Sequence, residues 1–145
     1  MAKLMLDMSA MQEDFFADAA MVGIASAMPA YHLCWALNEY LDLAFVRDPA
    51  QNISLKKKNS NEFNFPTYRY DLDNSSQSCL LYKLKDGTEP LLPETRHLDY
   101  LLLIQTNDPE EDAFHLVAEL KNMKDIQLAQ ILDRDDLKNL SNLIV

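Results

Sequence analysis

The run 99–105 (DYLLLIQ) constrains the fold of this chain most tightly. It is too short for a buried helix, and it leaves a strand with no polar side. Both faces of such a strand should therefore be buried. Other strand signals surround it. AMVGIAS at 20–26 reads as a strand whose Gly23 lets a neighbouring backbone or helix pass close. An earlier strand is expected at 3–8, with a connection or helical turn at 11–18. Phe63 and Phe65, then Tyr68, Tyr70 and Leu72, alternate with a change of parity across Pro66, which points to a bulge or an edge. Leu80, Tyr82 and Leu84 alternate again after the turn sequence Asp73-Asn74-Ser75-Ser76, so the two runs should pair as a hairpin. Short strands are also expected at 43–47 and 126–132, a turn at Gly87, and an edge strand or docked tail at Leu143-Ile144-Val145.

Two stretches carry helical spacing. From Pro29 to about Leu41, residues Ala30, Leu33, Leu37 and Leu41 recur along one face, with Pro29 suited to the first turn. The second begins at Asp108-Pro109-Glu110-Glu111, where Asp108 as N-cap and Glu111 at the third position have capping-box spacing. Its apolar stripe is Ala113, Leu116, Val117 and Leu120. The order β-β-α-β-β-β-β-α-β, without an internal repeat or linker, predicts one α+β domain over residues 1–145. The expected architecture is a two-layer sandwich: a mostly antiparallel sheet with the two main helices on one face. An elaborated ferredoxin-like core is one topology that fits.

Composition narrows the chemistry. The chain has 145 residues and only two glycines, Gly23 and Gly87. A dinucleotide fingerprint needs three glycines, and a P-loop needs two placed five apart before Lys and Ser or Thr; both are excluded. The formal charge is −10, distributed as −5 over residues 1–50, +3 over 51–85 and −8 over 86–145. An acidic chain is repelled by phosphate backbones, so nucleic acid is disfavoured except through the 51–85 segment. There Lys56, Lys57, Lys58 and Arg69 lie near Phe63, Phe65, Tyr68, Tyr70 and Tyr82, the ingredients of a base-stacking surface. Alternating aromatics more often face a core, and a lysine triplet is more often a solvated loop. Asp7 interrupts the opening apolar residues, so no secretory segment is expected. The 19–30 run is too short to span a membrane. Cys34 and Cys79 then read as reduced thiols in a cytoplasmic protein.

Residues 92–100 (LPETRHLDY) are the most distinctive stretch. Glu94, His97 and Asp99 place two carboxylates and an imidazole within six residues, the components of a general acid–base pair. No activated nucleophile is recognisable nearby, so the favoured reading is that these residues fix the approach to the strand. Leu92-Pro93-Glu94, three residues, then Leu98-Asp99-Tyr100 resembles the signature of the IPExxxVDY family of small bacterial proteins, with Leu in place of Ile and Val. Val22–Ser26 leading into Tyr31–Asn38, and the closing 137–145 segment, resemble that family's landmarks along most of the chain. The resemblance implies no activity, because none is established for the family.

His32, His97, His115, Cys34 and Cys79 are the whole soft-ligand inventory, without CxxC or HExxH spacing, so no metal or cofactor is expected. Trp35 lies off the Leu33–Leu37–Leu41 stripe, and is either half exposed as an interface anchor or covered on a second side. The sequence thus predicts a non-enzymatic interaction or scaffold protein with a protein partner or homodimer. An RNA-associated accessory protein is one alternative, and a small hydrolase or ligand-binding protein built on Glu94, His97 and Asp99 is the other.

Overall fold

The computed structural model describes residues 19–47, 53–56, 62–71, 77–86 and 89–133. In chain order they form β1 (Ala20–Ala25), α1 (Ala30–Leu41), β2 (Val46–Arg47), β3 (Ile53–Lys56), β4 (Glu62–Phe65) and β5 (Thr67–Asp71). There follow β6 (Ser78–Lys83), β7 (Lys85–Asp86), β8 (Glu89–Pro90), a 3-10 turn (Pro93–Thr95), β9 (Tyr100–Gln105), α2 (Pro109–Leu120) and β10 (Leu128–Leu132). The expected strand at 3–8, the connection at 11–18, the turns at 73–76 and Gly87, and the tail beyond 133 lie outside the described residues.

Six strands make one sheet in the order β10-β1-β9-β6-β5-β2, with every neighbouring pair antiparallel. Within it, β1, α1, β6, β9, α2 and β10 follow the order of the split βαβ, ferredoxin-like core. The strand order there is β10-β1-β9-β6, and β5 and β2 widen the sheet beyond β6. β3–β4 and β7–β8 form two separate antiparallel pairs.

The alternation of side chains sends each strand into two cores. On one face Val22, Ile24, Leu81, Tyr100, Leu102, Ile104 and Ala129 pack in a single cluster. Leu33, Cys34 and Leu37 of α1 join them there, with Ala113, Val117 and Leu120 of α2, so both helices cover the same side. On the other face Met21, Leu80, Tyr82, Leu101 and Leu103 meet Ile53 and Phe65 of the β3–β4 pair. Leu84, Leu91, Leu92 and Leu98 complete that cluster. Residues Leu101 to Leu103 are at most 1% exposed. Each contributes roughly 1.5–3 kcal/mol by burial, which explains why the run has no polar side.

Four local expectations are corrected. Pro66 does not mark a bulge or a free edge: β4 ends there in the small sheet and β5 begins in the large one, so Phe65 and Tyr68 enter different cores. Pro29 is the N-cap of α1, not its first residue; its extended backbone presents the carbonyl that accepts the Leu33 N–H at 2.9 Å. Asp108 is the N-cap of α2 but makes no side-chain capping bond. The Asp112 N–H instead bonds the Asp108 carbonyl, and the Asp112 carboxylate accepts the Thr106 hydroxyl. At Gly23 the close neighbour is neither backbone nor helix. A Cβ there would collide with Leu98 Cδ1 and meet both Leu132 methyls at 3.3 Å.

Candidate functional site

The 92–100 stretch folds into a clamp on the turn between β1 and α1. Pro93 opens the 3-10 turn, and the Thr95 N–H and hydroxyl both bond the Leu92 carbonyl, at 2.9 and 3.1 Å. Leu92 and Leu98 are fully buried on either side of it. The backbone of Asp99 then joins two strands' ends: its N–H donates to Ile24 O at 2.8 Å, and its carbonyl accepts from Leu84 N at 2.9 Å. Its carboxylate reaches over the turn, with Oδ2 accepting the Ser26 N–H at 2.9 Å and Oδ1 accepting Lys85 Nζ at 3.1 Å.

Ser26, which no sequence motif singles out, is the hub of this turn. Its hydroxyl donates to Asp125 O at 2.8 Å and accepts the Met28 N–H at 3.2 Å. The next carbonyl in this turn, that of Met28, accepts the Tyr100 hydroxyl. Burial, helped by the Asp99 charge, pushes the Tyr100 phenol up to about 12, so it stays a donor at any physiological pH. The five hydrogen bonds of Asp99, Ser26 and Tyr100 side chains fix where α1 begins.

A cavity of about 340 Å³ opens beside the clamp, lined by the 26–29 turn with Lys83, Lys85, Asp99 and Tyr100. Of the three residues considered for acid–base chemistry only Asp99 reaches it. Glu94 sits half-buried on the 3-10 turn. His97 is exposed, with Nε2 3.4 Å from Gln130 Nε2 on β10. Asp99 is already engaged by Ser26 and Lys85, which suits it to positioning a turn.

α1 presents a different kind of surface. Its core side is Ala30, Leu33, Cys34 and Leu37, and the opposite side carries Tyr31, His32, Trp35 and Glu39. Tyr31 is 74% exposed and Trp35 59%, and the His32 and Trp35 rings lie 6.0 Å apart. Among the described residues nothing forms the second cover expected as the alternative for Trp35. The spacing of four between Tyr31 and Trp35 puts both on the same helix face, a signal present in the sequence. At the other end of α1, the Asn38 amide bonds both the N–H and the carbonyl of Phe45, at 2.8 and 3.0 Å, and so ties down the approach to β2.

The basic segment is arranged otherwise. Phe65, Tyr68 and Tyr82 are buried, and Tyr70 packs against Phe45 with ring centroids 5.9 Å apart. The aromatics of the sheet therefore face its cores. Arg69 Nε bonds Asp71 Oδ1 at 2.7 Å. The Lys56 side chain, Lys57 and Lys58 lie outside the described residues.

Cys34 and Cys79 are free thiols. Burial raises both; for Cys79, with the Asp112 charge adding, the rise is to about 11. Among the described residues no group of three His, Cys, Asp or Glu side chains is placed to hold a metal. No described helix is long and apolar enough to cross a membrane. Neither a scan of the chain against protein-family models nor a search of the curated proteins finds a match.

Proposed function

We propose that this chain is a non-enzymatic interaction protein of the bacterial cytoplasm, belonging with the IPExxxVDY proteins, and that it docks a protein partner on the outward face of α1. The observation that carries this is the exposure of Tyr31 and Trp35 on adjacent turns of one helix. Large aromatic side chains contribute most to stability when buried, and these two contribute little to either core. Trp and Tyr are also the residues most often found as binding anchors, each worth roughly 2 kcal/mol or more at the centre of an interface. The 92–100 stretch has a natural part in this scheme: its Asp99 and Tyr100 hold the turn from which the aromatic face projects.

The test compares the wild type with Trp35→Ala after purification from the native host, and determines mass in solution. A stoichiometric companion or a dimer is expected for the wild type. In Trp35→Ala its affinity falls by about thirtyfold, the equivalent of 2 kcal/mol, at an unchanged urea midpoint. A wild-type monomer without a stoichiometric companion, or an assembly that Trp35→Ala leaves intact, would overturn the proposal.

A further inference from the structure

The cavity beside the clamp lies at the foot of α1, apart from the aromatic face, and its charge runs against that of the chain. Lys83 and Lys85 flank Leu84, whose side chain enters the opposite core, and both lysines line the same concavity. Asp99 is the one acidic group among the lining residues, and its two oxygens are taken by Lys85 Nζ and the Ser26 N–H. Lys83 has no ion-pair partner among the described residues. Among the described residues the cavity lining therefore holds two cations and one anion, in a chain of net charge −10. The turn that forms its wall is fixed by the Ser26, Asp99 and Tyr100 bonds, so the concavity exists before anything enters it. Its 340 Å³ falls within the roughly 300–1,000 Å³ of small-molecule sites and exceeds what a bare ion fills. Ala27, Met28 and Pro29 supply apolar wall for the remainder of a ligand.

We infer that this cavity binds a small organic molecule carrying an oxyanion, phosphate or carboxylate, with Lys83 as its counter-charge. The oxyanion sits against the Lys83 ammonium, which has no ion-pair partner among the described residues. Lys85 stays on Asp99 and keeps that carboxylate from repelling the ligand. A guanidinium in place of Lys83 preserves the charge and the reach, whereas a neutral side chain removes both.

The experiment follows amide resonances of the full chain by NMR at low ionic strength while inorganic phosphate, acetate or chloride is added. Phosphate or acetate is expected to give saturable shifts centred on residues 26–31, and chloride none; whichever saturates at the lower concentration identifies the oxyanion class. Lys83→Gln should weaken binding by about tenfold, in keeping with the loss of one charge-assisted hydrogen bond. Lys83→Arg should retain it, and Lys121→Ala, at the far end of α2, should leave it unchanged. Non-saturating shifts, shifts scattered over all the lysines, or equal binding by Lys83→Gln would overturn the inference. If Lys83→Gln is unfolded, the Lys83→Arg titration decides alone: saturable shifts on 26–31 support the site, and their loss refutes it.

Discussion

Replacing Asp99 by Ala removes the side chain that joins β9 to the turn before α1. The Ser26 N–H then loses an ionised acceptor at 2.9 Å, and Ser26 is only 4% exposed, so water reaches it poorly. A hydrogen bond to a charged group contributes about 1.5–3 kcal/mol. The Lys85 pair adds less, because both side chains are about one-third exposed; 0–1 kcal/mol is the usual range for such a pair. The expected loss is therefore about 2–3 kcal/mol. Asp99→Asn keeps an oxygen for the Ser26 N–H and gives up only the charge, so its loss should be about 1 kcal/mol. Urea unfolding followed by circular dichroism separates them. With a slope near 2 kcal/mol per molar, Asp99→Ala should move the midpoint down by about 1 M, and Asp99→Asn by about half of that or less. Equal shifts for the two variants, or a loss below about 0.5 kcal/mol for Asp99→Ala, would refute the clamp as the role of this residue.

Other positions give equally definite expectations. Thr67 is fully buried and its hydroxyl has no hydrogen-bond partner among the described residues, so Thr67→Val should raise stability by about 1 kcal/mol in the same urea assay. Gly23→Ala should cost about 1–3 kcal/mol, because Leu98 is wholly buried and has little room to swing away from the added methyl; Leu98→Ala in the same chain should make the glycine change cheaper. The Cys79 thiol titrates at 9.0 in an ordinary setting and at about 11 in the fold, so the unfolded chain gives up its proton first as pH rises. Stability should be unaffected by this group below pH 9 and fall by about 2–3 kcal/mol between pH 9 and 11. Cys79→Ala should flatten that part of the pH profile, whatever it does to stability at neutral pH.

What could be read in advance followed from periodicity. The both-faces-buried strand, the hairpin partners β5 and β6 and the two helical stripes rest on side-chain direction, which residue order determines locally; the placement of both helices on one side followed only from the order of elements, and no residue pattern specified it. The consequences of Pro66 were not legible, because a proline marks a break in a ladder without saying which sheet each half joins. The capping of α2 differs for a related reason: the residue types favour a side-chain cap, but the backbone at Asp108 departs from the usual N-cap conformation and no side-chain cap bond forms. In the site, the Leu92–Tyr100 motif was visible as a string, while its partner Ser26 was not. Ser26 is 73 residues from Asp99 and 99 from Asp125, and a serine between two alanines carries no local signal of such bonds. The proximity of Glu94, His97 and Asp99 in sequence was misleading in the opposite sense, because His97 lies beside Gln130, Asp99 engages Ser26 and Lys85, and of the three only Asp99 lines the cavity.

Trp35 is the only tryptophan in the chain, so its fluorescence reports on the proposed docking face without interference. The direct measurement compares emission and iodide quenching of the free protein with those of its isolated assembly, a dimer or a complex labelled so that only this chain's tryptophan is seen. A solvent-exposed, readily quenched Trp35 in the free protein that shifts to the blue and becomes protected on assembly is the predicted result. A Trp35 that remains equally exposed and equally quenched in the assembly would contradict docking on α1.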